Sequence, residues 1–218
     1  MKPVRRTNTD HAIPERRAGG HSGRRPGDSG TRETILMAAR DVFAADGFEK
    51  ATLRGIAARA GVDPALVRHF YIDKESLFDR AMVLPWDADE IVAAIVTGDP
   101  ERMGERIVLR FLELWEAGTN REVFTAMIRS AVTHEKAAAM VRDLITRRLV
   151  GPVTQALHVL HPELRATLVG SQLLGLAMVR YVTRVEPLAS LDRVTVARVM
   201  GANVQRYLSG DLDLSCRR

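Results

Sequence analysis

Apolar residues recur every three or four positions along most of the chain, and this spacing predicts α-helices. Between residues 31 and 46, Ile35, Ala39 and Phe43 share one helical face while charged residues fill the other. No stretch alternates β-branched and polar residues as a half-buried strand would. The chain is therefore predicted to be all-α, with nine to ten helices.

Local chemistry divides residues 31–84 into four short helices. Side chains that accept hydrogen bonds from free backbone N–H groups predict four helix starts, at Thr31, Thr52, Asp63 and Asp73. Asp46-Gly47 and Gly61 predict the ends of the first two helices, because glycine adopts positive φ without steric cost. Pro85 interrupts the fourth helix, since proline cannot donate a backbone hydrogen bond.

Longer helical segments follow. Their predicted bounds are 87–97, 100–117, 119–133, 135–158, 162–185 and 191–208. Glycine and proline separate them at Gly98-Asp99-Pro100, Gly118, His161-Pro162 and Glu186-Pro187. Gly151-Pro152 lies inside the segment 135–158 and is predicted to kink or split it.

The composition is that of a globular cytoplasmic protein. Of the 218 residues, 46% are hydrophobic, which is enough to bury a core. The single cysteine, Cys216, allows no internal disulfide, so a reducing, cytoplasmic setting is expected. The chain has no run of 18 apolar residues, and its start, MKPVRRTNTD, lacks the apolar core of a signal peptide. Association with a membrane is therefore not expected.

Positive charge is concentrated at the start of the chain. The net charge is +5, and residues 1–30 hold seven basic and three acidic residues, a net of +4. Residues 1–28 contain four glycines and no apolar periodicity, so they are predicted to be a disordered basic arm, which is either a solvated tail or a nucleic-acid contact. The rest is predicted to form a helical head at 29–84, a helical body at 85–210 and a flexible tail at 211–218.

A second positive region lies in the head. Residues 50–74 contain five basic residues against two acidic ones, a net of +3. Here two short helices, 52–60 and 63–70, are joined through Gly61-Val62, which predicts a helix-turn-helix unit. The second helix of such a unit can enter the major groove of DNA, and an ordinary helical hairpin is the alternative.

Several motifs follow one another within residues 31–84. They are A-x-x-x-F-x-x-x-G-F in the first helix, T-x-x-x-I-A-x-x-A-G-V from Thr52, the pair Phe70-Tyr71, and the K-E-x-L that begins at Lys74. In this order and spacing they resemble the DNA-binding domain of TetR-family transcriptional regulators. The body is similar to the helical regulatory domain of that family in the number and length of its helices.

The resemblance implies a function and a set of partners. A protein of this kind is a homodimeric transcriptional regulator, more often a repressor than an activator. It binds a palindromic operator in double-stranded DNA and responds to a small-molecule effector. No cofactor is implied.

The resemblance also assigns roles in DNA binding. Thr52 and Lys74 match positions that hold phosphates. Arg68 matches a position where a guanidinium can pair with guanine. The positions that match groove-facing residues of the family are Arg54, Pro64, Ala65, Leu66, Arg68 and His69. Phe70 stands where the family often has a polar residue that contacts a phosphate, so its role in the interface is open.

Residues 166–179, ATLVGSQLLGLAMV, are uncharged and apolar almost all round. A helix of this kind needs partners on every face. The helix at 191–208 can cover one side and a second subunit the other, as in the four-helix dimer interface of the family, while a core within one chain is the alternative. The predicted dimer contacts are Leu168, Gly170, Ser171, Leu174, Gly175, Met178, Val199 and Val204.

Methionine and aromatic residues recur at helical spacing in the middle of the chain. The resemblance implies that they line an effector pocket, although such a stripe is more often ordinary core. The candidate residues are Trp86, Met103, Ile107, Phe111, Trp115, Phe124, Met127, Ile128 and Met140.

Two other functions compete with this interpretation. The pairs His134-Glu135 and His158-x-x-His161 have spacing compatible with metal binding, but no third ligand follows at a recognisable distance, so no metal site is predicted. No nucleophile motif or glycine-rich phosphate loop indicates an enzyme. A DNA-binding regulator without small-molecule control would have the same head, and a solid body core would favour it.

Overall fold

Eleven α-helices account for most of the residues that the computed structural model describes, which are 26–83, 87–118 and 120–214. Side chains are described from residue 29 onward. These residues include no strand, and the predicted all-α class is confirmed. The helices are α1 Pro26–Lys50, α2 Leu53–Ala60, α3 Pro64–Phe70, α4 Lys74–Ala81, α5 Ala88–Val96, α6 Met103–Glu116, α7 Asn120–Ala131, α8 Glu135–Asp143, α9 Val150–Ala156, α10 Pro162–Ala177 and α11 Arg193–Ser209.

Helix α1 begins earlier than the sequence predicted. It starts at Pro26, so Thr31 lies inside the helix and the prediction of an N-cap at Thr31 is wrong. The fixed φ of proline suits the first position of a helix, which explains the earlier start. The predicted arm therefore loses residues 26–28 to α1, and residues 1–25 lie outside the described residues.

Gly47, at φ 74°, leaves helical geometry inside α1 near the predicted end, and α2, α3 and α4 begin at the caps that their local chemistry predicted. Asp63 caps α3 by accepting a hydrogen bond from Ala65 N at 2.7 Å, and Thr52 caps α2 in the same way. Asp73 and Ser76 form a capping box at the start of α4, and hydrogen bonds from Ser76 lower the pKa of Asp73. Gly61, at φ 66°, ends α2 in the left-handed region. Helices α2 and α3 are thereby fixed as a helix-turn-helix.

The predicted segment 135–158 is split in two, as Gly151-Pro152 indicated. A π-turn, Leu144–Arg148, separates α8 from α9. Pro152 has no backbone N–H, and in a regular helix its ring would clash with the carbonyl group four residues earlier. The wider π-turn just before Pro152 relieves this clash. A Cβ built on Gly151 would lie 1.8 Å from the carbonyl oxygen of Thr146, so this close approach requires glycine.

Two apolar cores hold the molecule together. The body core fills the space between α5, α6 and the helices from α9 to α11, and includes Trp115 and Leu112. The head core lies between α1 and α4, where the rings of Phe43, Phe48 and Phe78 pack with centroids 4.9 to 5.9 Å apart. Side chains of α7 and α8 complete the head core, so the head is joined to the body by a shared interior.

Helices α6 and α11 approach one another backbone to backbone. A Cβ built on Gly104 would lie 2.3 Å from the carbonyl oxygen of Gly201, and a Cβ on Gly201 would lie 2.6 Å from Cα of Glu105. The side chain of Gln205 crosses the contact and accepts a hydrogen bond from Gly104 N at 2.7 Å. These two glycines set the distance between α6 and α11 in the body core.

We expect Gly201→Ala to lower the free energy of unfolding by about 1–3 kcal/mol, because the added methyl group forces α6 and α11 apart. Gly30→Ala is the matched control. Gly30 is a helical glycine with nothing within 4 Å of a built Cβ, so alanine should leave stability equal or slightly higher there. Urea denaturation of both variants measures the difference, and equal stabilities would contradict the close packing.

Candidate nucleic-acid interface

Helix α3 presents an outward face that is free to meet a ligand as large as DNA. Val67 is fully buried and fixes the inner face of the helix in the head core. Ala65, Arg68 and His69 are exposed on the outer face. Two further predicted groove residues, Pro64 and Leu66, are half-buried. The helix therefore presents a guanidinium and an imidazole beside a small apolar surface.

The start of α2 carries two further residues that the sequence assigned to DNA binding, Thr52 and Arg54. The Thr52 hydroxyl oxygen accepts a hydrogen bond from Gly55 N at 3.0 Å, and its own O–H remains able to donate to a phosphate. Arg54 follows in the first turn and is exposed. Neither Arg54 nor Arg68 forms an ion pair within the described part of the chain. Both guanidinium groups are thus available to an external anion.

Lys74 has a structural partner that the sequence did not indicate. Its ammonium donates hydrogen bonds to the carbonyl oxygens of Phe48 at 2.8 Å and Glu49 at 3.2 Å, and it lies 4.3 Å from the centroid of the Phe48 ring. An ammonium has three N–H donors, so one remains for a phosphate. Lys74 therefore stabilises the C-terminal end of α1, whether or not it also contacts DNA.

Phe70 does not stand free on the surface. It is half-buried at the end of α3, and the guanidinium of Arg32 lies 5.1 Å from its ring centroid. Stacking of this kind is a cation–π contact. Through this contact the Arg32 guanidinium of α1 lies beside the position where the family often has a polar side chain. The periodicity of α1 gave no signal that Arg32 would reach this point.

Not every basic residue of the positive region is free. Arg59 forms two hydrogen bonds with the carboxylate of Asp41, the shorter at 2.8 Å, and so ties α2 to α1. Because Asp41 lies 18 positions away in the sequence, residue spacing could not have found this ion pair. It removes one positive charge from the surface that could attract phosphates.

The body contains two adjacent apolar cavities, of about 80 Å³ and 40 Å³. Of the predicted effector residues, five line the larger cavity: Phe111, Trp115, Phe124, Met127 and Ile128. Ile107 lines the smaller one. Met103 is buried in the body core, Met140 packs against the head core, and neither lines either of these two cavities. Trp86 lies outside the described residues.

Most of the remaining cavity wall comes from helices that the sequence did not associate with a pocket. These side chains belong to α8, the π-turn, α9 and α10, and they are Val141, Leu144, Ile145, Leu149, Val150, Gly170, Leu173, Leu174 and Ala177. Leu114 of α6 completes the wall. No charged side chain lines the larger cavity among the described residues, so it suits an apolar molecule.

The predicted dimer contacts divide between the surface and the interior. Ser171, Gly175, Met178 and Val199 are exposed, and Leu168 is half-buried. Leu174 is half-buried and lines the larger cavity. Two residues have to be corrected: Val204 is fully buried, and a Cβ on Gly170 would lie 2.5 Å from Cγ2 of Ile145. Both face the interior of their own chain.

The described residues were compared with the requirements of a metal site and of a membrane-spanning helix. Residues 26–83, 87–118 and 120–214 contain no group of three histidine, cysteine or acidic side chains arranged to hold a metal. His158 instead places Nδ1 at 2.9 Å from the carbonyl oxygen of Ala156. Within the same residues no helix combines the length and the apolar character needed to cross a membrane.

Two family models match the chain. Residues 35–81 match the model for bacterial regulatory proteins of the tetR family, and residues 101–208 match the tetracyclin repressor-like C-terminal domain. A TetR-family regulator from Streptomyces coelicolor A3 is 40% identical, with 86% of this chain and 99% of that chain covered and a TM-score of 0.54. The chain belongs to the TetR family of transcriptional regulators, which places it among DNA-binding regulators and not among enzymes.

More distant proteins are similar as well. The HTH-type transcriptional regulator UidR of Escherichia coli K12 is 24% identical over 139 residues, which cover 56% of this chain and 70% of UidR. NalD of Pseudomonas aeruginosa, the secondary repressor of the MexAB-OprM multidrug efflux pump, has the same fold with a TM-score of 0.65. It is 22% identical, and 85% of this chain and 98% of NalD are covered.

Lys74→Met is expected to lower the free energy of unfolding by about 1–2 kcal/mol, because two carbonyl groups at the end of α1 lose their donor. Lys50→Met is the control, since it removes an exposed lysine from the last turn of the same helix. Chemical denaturation compares the two variants in the absence of DNA. A Lys74 variant as stable as the wild type would show that this lysine has no structural role.

Proposed function

We propose that the protein is a ligand-responsive repressor, which binds a palindromic operator as a homodimer in the cytoplasm and leaves it when an apolar effector occupies the body. The observation that carries this proposal is that α7 belongs both to the wall of the cavity and to the core of the head. A molecule in the cavity therefore contacts the helix on which the head rests.

The head supports specific binding to DNA. Arg68 is exposed on the outer face of α3, where a guanidinium can pair with O6 and N7 of guanine. Thr52 and Arg54 lie at the start of α2, in position to hold a phosphate beside the groove. A helix as short as α3 reads only a few base pairs, so a second head is needed for a site of useful specificity.

The outer face of α10 and α11 supports dimerisation. Four large apolar side chains are exposed on these helices or directly after α10: Leu164 at 39%, Met178 at 36%, Val194 at 59% and Val199 at 62%. Ser171 and Gly175 lie on the exposed side of α10 and allow close approach. TetR-family regulators bind DNA as dimers, and a two-fold dimer through this face would match a palindromic operator.

The cavities support a response to an apolar effector. Their volumes together approach the roughly 150 Å³ of an engineered cavity that binds benzene. Five side chains lie between them and line both: Phe111, Leu114, Leu149, Val150 and Leu173. Movement of these side chains would join the two spaces into one site, so the effector is expected to be a small aromatic or aliphatic molecule.

The route from the cavity to the head runs through α7. Met127 is 3% exposed, lines the larger cavity and is also part of the head core. Two residues further along α7, Arg129 donates a hydrogen bond to the carbonyl oxygen of Ala45 in α1 at 2.8 Å. An effector that displaces Met127 would shift α1 and the helix-turn-helix packed on it. Release of DNA then follows if the effector prefers the shifted arrangement.

A constitutive regulator without small-molecule control is the second candidate. It is favoured by the small volume of each cavity, because a space of about 80 Å³ is also within the range of packing defects. The two candidates differ in one measurable property, which is the release of DNA by a compound that binds the body.

We expect Arg68→Ala to weaken binding to the operator by about 1–3 kcal/mol and to relax the preference at one base pair in each half-site. The operator is first obtained by selecting fragments of the parent genome with the full-length protein, and a palindromic consensus is expected. Fluorescence anisotropy then compares the operator with random duplex. Equal losses on both would make Arg68 a phosphate contact and contradict a role in reading bases.

Arg147→Ala is the control for this measurement. Arg147 lies in the body, and its side chain is 83% exposed. Its removal takes away the same charge at a distance from the head. Operator affinity should stay close to that of the wild type, so that a loss confined to Arg68→Ala reports a local contact.

Val150→Phe is expected to abolish the response to apolar compounds, because the larger ring fills the space between the two cavities. Operator affinity without a compound should remain near that of the wild type. Release of labelled operator is measured with benzene, toluene and indole as probes. Val132→Phe, at a valine that is 80% exposed, is the matched control. Equal release from Val150→Phe and from the wild type would place the effector elsewhere.

A further inference from the structure

The head carries a groove that the DNA-binding interface does not explain. It is open to solvent, has a volume of about 810 Å³ and lies between α1, the turn after α3 and α4. Its size is within the range of sites that bind small molecules. The groove is separate from the cavities of the body, with which it shares no lining residue among those described.

One polar group at the bottom of the groove lacks a partner. Tyr71 lines the groove and is only 5% exposed, and its hydroxyl has no hydrogen-bond partner among the described residues. Burying a hydroxyl without a partner is costly, so such groups are rare in folded proteins. A ligand in the groove would supply the missing acceptor.

Three guanidinium groups line the groove together with this hydroxyl, and one of them, that of Arg40, also donates through Nε to the carbonyl oxygen of Ala81 at 2.9 Å. Arg32 and Arg40 come from α1 and Arg80 from α4, and all three act on Tyr71 electrostatically. Burial nevertheless raises the pKa of Tyr71 above its usual value, so the phenol stays protonated and can donate a hydrogen bond. The arginines and the phenol together form a set of donors that face the same space.

Two carboxylates also line the groove, but they do not cancel this charge. Asp79 pairs through Oδ2 with the ammonium of Lys136 on α8, although its Oδ1 has no partner among the described residues. Glu33 is exposed on α1. Because Lys136 neutralises Asp79, the groove is lined by three arginines and by Glu33 as the remaining anion. This balance favours a negatively charged ligand.

The walls of the groove are apolar. Leu36 and Phe70 are half-buried in it, and Ile72 and Val83 stand at its edge, 91% and 55% exposed. Apolar surface that adjoins a groove is typical of a ligand-binding site when it forms a continuous patch, and these four side chains line the same groove. A simple inorganic anion would leave this surface uncovered.

We propose that the groove binds a small anionic molecule with an apolar body, whose acidic group accepts hydrogen bonds from the Tyr71 hydroxyl and the guanidinium of Arg80. The apolar part of the ligand lies against Ile72 and Val83. The apolar walls favour such an amphiphile over the phosphate backbone of DNA, because a phosphodiester brings no apolar surface to cover them. Since Phe70 ends α3, a ligand here would touch the helix that carries Arg68.

The probe for this site is 1-anilinonaphthalene-8-sulfonate, which carries one sulfonate on an apolar aromatic body and fluoresces when its surroundings become apolar. Titration of the full-length protein should show a site that Tyr71→Phe weakens about tenfold, as expected for loss of one hydrogen bond to a charged group. Without the probe, Tyr71→Phe should melt at the same or a higher temperature, because the unpartnered hydroxyl is gone.

A second variant and two controls complete the test. Arg80→Gln, at an exposed residue, should weaken the sulfonate probe and leave binding of the uncharged analogue N-phenyl-1-naphthylamine unchanged. Tyr207→Phe, at a half-buried tyrosine of α11, should change neither. Val150→Phe separates any binding in the body cavity from binding in the head.

The outcomes distinguish the groove from its alternatives. Weaker binding of the sulfonate probe in both head variants, with normal binding in Tyr207→Phe, supports the proposal. Unchanged probe affinity in Tyr71→Phe and Arg80→Gln overturns it. If these variants instead lose affinity for random-sequence duplex while the probe binds as before, the groove holds DNA phosphates and the proposal is wrong.

Discussion

Helix α7 has to satisfy two apolar cores at once, and the rest of the structure depends on this. Val123 and Ala126 face α1 and complete the head core, while Phe124 and Ile128 face the cavity of the body. Met127 belongs to both. Because closely packed interiors do not deform continuously, the head cannot tilt against the body unless these side chains repack. The orientation of α3 on the molecular surface is therefore fixed by contacts made far from it.

The parts of the fold that sequence predicted are those determined by neighbouring residues. Caps at Thr52, Asp63 and Asp73 involve hydrogen bonds across two or three positions, and Gly61 needs only its own positive φ. The start of α1 was missed because glycines and charges suggested disorder and outweighed Pro26. When local signals disagree, as the glycines and Pro26 do at the start of α1, the packing of the helix determines where it begins. Which side chains line the cavity depends on tertiary contacts. The spacing of apolar residues along the sequence therefore identified only the lining residues of α6 and α7.

On α10 the sequence could not show which side of the helix faces its own chain and which side faces a partner. A helix that is apolar on every side does not indicate which side faces its own chain. The side chain of Ile145 lies against Gly170. Ile145 belongs to the π-turn Leu144–Arg148, which relieves the conflict that Pro152 would cause in a regular helix. Without that turn in view, Gly170 looked equivalent to Gly175, which is exposed. Small residues permit close approach, and their partner is settled only by the path of another helix.

The number of basic residues in the head overstates the positive charge that is free to attract phosphates, because some of these residues have partners within the chain. The region of residues 50–74 has five cations, but Arg59 is bound to Asp41 and Lys74 donates to the end of α1. The cations left without an ion pair or backbone contact in the described part of that region are Lys50, Arg54 and Arg68. With so few free charges, each head attracts phosphates less strongly than its composition indicates. In the proposed dimer two heads would share the binding of one site, so the rigidity of the joint at α7 would contribute to affinity together with the groups that touch DNA.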